Sequence, residues 1–402
     1  MKYDDIKFSV LPAHKLGIIV HPSCAELGEE IDEYIVRWRK ERWEKNQALD
    51  VIPEVPKDTF LLNAKCARFG TGEAKATIYD SVRGVDLYII ADVLNHSLTY
   101  TVSGHLNHMS PDDIFADIKR LIMAAAGKPQ RITVVMPFLY ESRQHKRTAR
   151  ESLDCAYALK ELVNMGVDNI LTFDAHDPRV MNAIPIDGFD NVMPTYQFVK
   201  ALLRSTNDLV IDRNHLMAIS PDEGAMQRAI YFASELGIDV GMFYKRRDYS
   251  QIVDGRNPIV AHEFLGDTVL GKDVLIIDDM ISSGESMIDV ARGLKERGAS
   301  RVFCLATFGI FTKGPGPFDE AYEEGIIEKV ITTDCTYLDP EVANREWYVS
   351  CGVTKYIALL IDSLNHDISI SEILDPSERI NQRLQEYREF HTIQSEYADA
   401  RD

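Results

Sequence analysis

The chain has 402 residues, 45% apolar and 27% charged, the proportions of an ordinary folded protein with room for two domains. Its 44 Lys and Arg against 63 Asp and Glu give a net charge of −19, which argues against a nucleic-acid binder or a partner of anionic membranes. That balance still permits a locally basic cleft for a small anion. No apolar run approaches the ~18 residues of a membrane span, and MKYDDIKFSVL lacks the basic and apolar regions of a signal peptide, so a cytoplasmic protein is expected. Cys24, Cys66, Cys155, Cys304, Cys335 and Cys351 form no C-x-x-C pair, and several lie in apolar runs, which predicts buried free thiols.

Strand-like runs fall at 16–20, 86–92, 131–138, 169–176, 215–222, 240–246, 273–279, 301–311, 329–335 and 355–362. Helical patterns between them cover 112–127, 152–165, 223–236 and 286–297. Near-continuous apolar strands alternating with helices predict α/β domains, each a mainly parallel sheet covered by helices on both faces. Two such units follow in tandem, read as domains 1–195 and 196–375, with a charged helical extension at 376–402. Additions stand out at 36–58 (RWRKERWEKNQ, a helix then a Pro-rich turn) and at 95–113, whose three histidines fit no compact ligand set; a mobile loop or subunit contact is expected there.

Six segments carry chemistry. Phe69-Gly70-Thr71-Gly72-Glu73 is a glycine turn, alone no more than a β-turn. Met136–Arg147 follows a strand and gathers Arg143, His145, Lys146 and Arg147, a solvated basic loop or a polyphosphate site. Asp174-Ala175-His176-Asp177 ends another strand, where metal or phosphate chemistry competes with a structural role. In Ser220-Pro221-Asp222-Glu223-Gly224 either Ser220 or Asp222 is also a natural helix N-cap. Tyr244-Lys245-Arg246-Arg247-Asp248 is a basic turn after a strand. The most specific is Val274–Met287, VLIIDDMISSGESM: a buried strand, two acids where it should end, a hydroxyl- and glycine-containing turn, then a helix. Backbone N–H groups and hydroxyls at a helix N-terminus favour a phosphate, and the acids suit a sugar diol or a metal bridging to one. The local chemistry points to a sugar phosphate.

That last segment resembles the phosphoribosyl diphosphate (PRPP) loop of type I phosphoribosyltransferases and of PRPP synthetases: four apolar residues, two acids, three variable residues, then Thr/Ser-Gly-x-Thr/Ser. The other five segments are similar to PRPP synthetase motifs and come in that family's order, so the resemblance covers about residues 15 to 375. It implies two tandem phosphoribosyltransferase-like domains in a ribose-phosphate diphosphokinase, a homo-oligomer that takes ATP, Mg²⁺ and ribose 5-phosphate and engages neither nucleic acid nor membrane. It implies that Phe69, Thr71, Glu73, Arg143, Gln144 and His176 hold ATP, and that Asp174, His176, Asp187 and Asp222 meet the metal. It implies that Asp278 and Asp279 hold the ribose hydroxyls, that Ser282, Ser283, Gly284, Glu285 and Ser286 cradle the 5-phosphate, and that Lys245 and Arg247 are catalytic. Thr71, His145 and Ala183 stand where the family has Asp, and Ala225 where it has a second Gly. Thr71, His145 and Ala183, with the insertions, support an alternative, a non-catalytic regulatory homologue. A PRPP-consuming phosphoribosyltransferase shares the 274–287 loop but leaves the tandem domain and the FGTGE and RQHKR segments unexplained.

Overall fold

The computed structural model describes residues 11–46, 57–247 and 259–399. The chain divides into two compact units: Met1–Met193 with Asp334–Tyr337 and Gly352–Asp375, and Pro194–Thr333 with Leu338–Cys351 and Pro376–Asp402.

The first unit is built on a five-stranded parallel sheet of β1 (Lys15–Val20), β4 (Val85–Ile90), β7 (Arg131–Val135), β8 (Asn169–Phe173) and β9 (Gly188–Val192), in that spatial order. Two antiparallel hairpins are attached, β2 (Ala64–Arg68) with β3 (Ala74–Ile78), and β5 (Thr99–Val102) with β6 (His105–His108). Helices α1 (Ala25–Asn46), α2 (Pro111–Ala125) and α3 (Asp154–Asn164) connect the strands. Ser110 caps α2 in a capping box, its hydroxyl accepting from the Asp113 N–H while the Asp113 carboxylate accepts from the Ser110 N–H. The 95–113 addition, expected as a mobile loop or subunit contact, contains the β5–β6 hairpin, which corrects the loop reading. Ser103 and Gly104 at its tip take φ +48° and +83°, the positive values of a two-residue hairpin turn that suits the twist of paired strands. Of the 36–58 addition, the helical part lies in α1, while 47–56 fall outside the described residues.

The second unit opens with α4 (Thr195–Ser205). Its mixed sheet has the order β12 (Ile259–Leu265), β11 (Asp239–Arg247), β10 (Leu216–Ser220), β13 (Asp273–Ile281), β14 (Val302–Gly309), β15 (Lys329–Thr333), β16 (Tyr348–Cys351). Only the β11–β12 pairing is antiparallel. Helices α5 (Met226–Leu236), α6 (Glu285–Glu296), α7 (Gly316–Glu323) and α8 (Pro340–Ala343) follow their strands. Alternate strand residues feed two cores: Ile219, Val274, Ile276 and Cys304 pack with Val290 and Ala291 of α6, whereas Ala218, Leu275, Ile277 and Leu305 pack with Phe232 and Ala233 of α5. That two-sided burial is what the continuous apolar strand runs anticipated.

The 355–362 run, read as a strand, is the middle of α9 (Thr354–Asn365), and α10 (Ser371–Leu374) follows. Tyr356, Ile357, Ala358, Leu360 and Ile361 are all buried, and so short an apolar run fits a buried strand as well as a buried helix. Its segment also departs from the 196–375 domain reading, because Gly352–Asp375 belongs to the first unit. The anchor is polar. Arg39 of α1 donates to Asp362 (2.9 Å) and to Asn365 (2.6 Å), Arg42 pairs with Asp362 (2.9 Å), and Asn365 donates to Asp86 (2.9 Å). Burial alone raises the Asp362 carboxyl, but the two guanidiniums hold it below the usual carboxylate range. These long-range partners carry no local sequence signal. The extension forms α11 (Ser377–Asp399), and its Ile380 and Leu384 close the α4–α5 side of the second unit.

Candidate functional site

The second unit's strand order reverses once. From β10 the chain adds β11 and β12 on one side, then returns to lay β13, β14, β15 and β16 on the other. In open α/β sheets the crevice at the carboxyl ends of the strands flanking such a reversal is where ligands bind. Pairing of β10 with β13 ends at Ile219–Ile276, whereas β13 runs on beside β14 through Asp278–Ala306 to Ile281–Gly309. The acids therefore sit within β13 rather than at its end, at the point where it loses its β10 neighbour. The Ser220–Gly224 turn follows β10, and there Asp222 accepts from the Gly224 N–H (2.9 Å) and the Ala225 N–H (3.3 Å) while Ser220 donates to the Asp222 carbonyl (2.6 Å).

Asp279 is buried, and its N–H donates to the Asp278 carboxylate (2.9 Å). Burial raises the Asp278 carboxyl well above its usual value; the adjacent Asp279 charge pushes it further, and Arg228 of α5 opposes both. Arg228 was not singled out in the sequence; its placement one turn into the helix after the SPDEG turn was the available signal. A raised carboxyl makes the ionised site unfavourable to fold, so stability falls as pH climbs above the ordinary aspartate value toward the raised one. Asp278→Asn is therefore expected to raise the thermal midpoint at pH 7 while abolishing any role of that charge in ligand binding. A lowered midpoint with a folded circular-dichroism spectrum would contradict the strain assigned to this pair.

After β13 comes Ser282-Ser283-Gly284, then α6 begins at Glu285. Gly284 takes φ +86°, and no side chain caps the helix, so its first-turn N–H groups are left for another acceptor. A β-carbon on Gly284 would lie 2.2 Å from Phe318 Cε2. Phe318 is fully buried and stacks on Trp347 (5.3 Å between ring centres), with Phe311 edge-on (5.3 Å). The neighbouring 310–314 turn is stitched to the loop by Ile310 N–H to Ile281 carbonyl (2.9 Å) and Thr312 N–H to Ser282 carbonyl (2.9 Å). Trp347→Ala is expected to cost about 3–5 kcal/mol in urea unfolding by emptying this cluster; a change below ~1 kcal/mol would remove the cluster as the loop's support. Lys245 and Arg247 lie on β11 beyond its last β10 partner, Met242, beside His262 and Ile259 of β12. Their side chains, and residues 248–258, fall outside the described residues.

In the first unit, Phe69–Glu73 forms the β2–β3 turn, closed by Phe69 N–H to Glu73 carbonyl and Gly72 N–H to Phe69 carbonyl (both 2.8 Å). Phe69 is half exposed, and Thr71 donates to the Glu73 carboxylate (3.0 Å). The β5–β6 tip braces this turn through Ser103 N–H to Gly70 carbonyl (2.8 Å). Arg143, Gln144, Lys146 and Arg147 are exposed in the loop after β7. The loop after β8 joins it through His176 N–H to Ser142 Oγ (3.0 Å), and His145 lies 3.4 Å from Asp177 and 5.2 Å, ring to ring, from His176. Asp174 is buried at φ +38°, while Asp187 lies beyond, just before β9. Asp177 is held at about 2 by the Arg179 guanidinium. Asp174, His176 and Asp187 thus belong to the first unit and Asp222 to the second.

Another cluster, His21, Cys66 and Asp117, brings its ligand atoms within 4.8 Å of one another. It is committed to structure: the Ser23 N–H donates to His21 Nδ1 (3.1 Å), which leaves the ring proton on Nε2 facing Asp117, and Arg68 and Arg120 both donate to Asp117 (2.7 Å each). Burial pushes the Cys66 thiol up to about 12, so it stays protonated.

The second unit is thus a doubly wound α/β domain with an acid pair and an uncapped helix at its reversal point. Residues 16–166 match the family model for the N-terminal domain of ribose phosphate pyrophosphokinase, and residues 187–331 that for the phosphoribosyl transferase domain. The ribose-phosphate pyrophosphokinase of Vibrio parahaemolyticus is 30% identical over 316 residues, 78% of this chain and 91% of that one. That of Chlorobaculum tepidum is 28% identical over 328 residues, 81% of this chain and 91% of its own. The crystal structure of phosphoribosylpyrophosphate synthetase from Mycobacterium smegmatis superposes with a TM-score of 0.67 at 20% identity, covering 88% of this chain and 99% of that one, which shows a shared fold. The chain belongs to the ribose-phosphate pyrophosphokinase family, whose members are diphosphotransferases of nucleotide biosynthesis. Among the described residues no helix is long and apolar enough to cross a membrane.

Proposed function

We propose that this protein transfers the β,γ-diphosphoryl group of ATP to the 1-hydroxyl of ribose 5-phosphate, releasing AMP and forming PRPP. The observation that carries the reading is the reversal-point crevice of the second unit, where Asp278 and Asp279 adjoin the uncapped start of α6. There the N–H groups of Gly284, Glu285 and Ser286 and the hydroxyls of Ser282, Ser283 and Ser286 receive the 5-phosphate. The two carboxylates accept hydrogen bonds from the ribose 2- and 3-hydroxyls, which fixes the ring and orients the 1-hydroxyl. Phe69 offers a half-exposed ring to the adenine, Glu73 an acceptor to its amino group, and Arg143, Gln144 and His176 meet the phosphate chain. The 1-oxygen attacks the β-phosphorus and its proton passes to solvent; the bond from the β-phosphorus to the oxygen it shares with the α-phosphate breaks, and AMP leaves with that oxygen. Lys245 and Arg247 stabilise the charge that builds on the transferring oxygens.

Mg²⁺ fits the donor set: Asp278, Asp279 and Asp222 offer hard carboxylate oxygens, and the strain on the paired acids is relieved by a cation. Bound there or on the nucleotide, it would neutralise phosphate charge. Asp174, His176 and Asp187 are the corresponding candidates in the first unit. We also read the protein as a homo-oligomer of the cytoplasm. Chromatography of the nucleotides after incubation with MgATP tests the reaction. AMP that accumulates only when ribose 5-phosphate is present is expected, whereas ADP, or AMP independent of the sugar, overturns it. A regulatory homologue is the second reading, favoured by His145, which faces Asp177 and His176 where the family carries an acid.

A further inference from the structure

Glu285 is a carboxylate in a loop built for an anion. As the first residue of α6 it complements the helix dipole, and so sets a negative charge at the helix end that a phosphate would use. Lys313 answers it. The Lys313 ammonium donates to the Glu285 carboxylate and is the main reason that carboxyl lies below its usual range. Both side chains are exposed, 62% for Glu285 and 53% for Lys313, so each is free to exchange partners with a ligand.

The lysine is carried to this place by backbone geometry. Thr312, the residue before it, is fixed by its N–H to the Ser282 carbonyl (2.9 Å). Phe311, one further back, is buried at φ +47° against Phe318, the ring beneath Gly284. On the far side Gly314 N–H closes the turn on the Phe311 carbonyl (2.7 Å). The 310–314 turn and the 282–286 loop are therefore one stitched unit, and Lys313 projects from it to the first turn of α6.

We propose that Lys313 is a phosphate-binding residue for ribose 5-phosphate, parked on Glu285 in the free protein and handed to the 5-phosphate when the sugar binds. The proposal rests on the sugar-phosphate reading of the α6 loop. A phosphate monoester dianion offers terminal oxygens to the helix N–H groups and to the ammonium together. A weaker anion leaves the lysine on Glu285 and meets the carboxylate's repulsion. The pair thereby raises selectivity for a dianionic phosphate at some cost in affinity.

Calorimetric titration of the full-length protein with ribose 5-phosphate and Mg²⁺ tests this in a double-mutant cycle. Lys313→Gln is expected to weaken binding about fivefold or more, because it removes a cation and leaves Glu285 unopposed. Glu285→Gln is expected to tighten binding about two- to threefold, and the double variant to recover most of the Lys313→Gln loss. A purely structural ion pair gives a different result, since both single variants would then weaken binding alike. Unchanged binding in Lys313→Gln, or weaker binding in Glu285→Gln, overturns the proposal while the sugar-phosphate reading stands. Failure of the unaltered protein to bind ribose 5-phosphate removes that reading and the proposal with it.

Discussion

Gly284→Ala is expected to destabilise the second unit by about 2–5 kcal/mol and to weaken ribose 5-phosphate binding at least ~10-fold. Two separate costs add. Alanine at φ +86° carries the left-handed penalty of roughly 1–2 kcal/mol. Its β-carbon would fall 2.2 Å from Phe318 Cε2 and 2.7 Å from Cζ, an overlap that costs about 1–3 kcal/mol to relieve. Phe318 cannot step aside, because it is buried against Trp347 and Phe311, so the backbone of the loop must move instead. The N–H groups of the α6 first turn move with it, and the phosphate cradle is lost. Urea unfolding of Gly284→Ala and of Gly284→Ala with Phe318→Leu separates the terms. The smaller side chain should return the overlap part and leave the conformational part. A single variant as stable as the parent would show that the loop does not rest on the ring.

Lys245→Ala is expected to cut turnover at least ~10-fold, and by as much as 10³ if it acts as arginine fingers do in other phosphoryl transferases. Position supports the assignment: β11 runs past its last pairing with β10 and carries Lys245 and Arg247, still paired with β12, beyond the carboxyl end of β10, the end of the sheet at which the acid pair and the α6 loop lie. A cation that acts on the transition state lowers the rate with substrate affinity kept, so the expected change falls on kcat rather than on KM. Steady-state rates, with circular dichroism to confirm folding, decide it. Near-normal turnover would remove Lys245 from the mechanism.

The second unit was readable because its chemistry is local. Val274–Met287 carries strand, acids, turn and helix start within one contiguous stretch, and glycine at 284 marks the one position where a side chain has no space. The reach of β13 through Ile281 was not readable, since a strand's end depends on how far its neighbours accompany it, and β14 does so where β10 stops. The 355–362 helix and its place in the first unit were hidden for a related reason. A short, mostly apolar run fits a buried strand as well as a buried helix, and the partners that seat Asp362 and Asn365 lie some 300 residues earlier, at Arg39, Arg42 and Asp86. The β5–β6 hairpin was masked by polarity: four-residue strands with exposed faces carry too few apolar residues to alternate visibly, although Ser103-Gly104 is the turn signal in hindsight. The Lys313–Glu285 pair joins the 310–314 turn to the first turn of α6 and has no signature in either alone.

Phosphorus NMR of the protein with MgATP and ribose 5-phosphate observes the new bond on the sugar itself. A diphosphate on C1 of ribose 5-phosphate is expected to grow in step with AMP as ATP declines. ATP and ribose 5-phosphate signals that persist unchanged, with the protein folded and Mg²⁺ present, would contradict it and make the regulatory homologue the better reading.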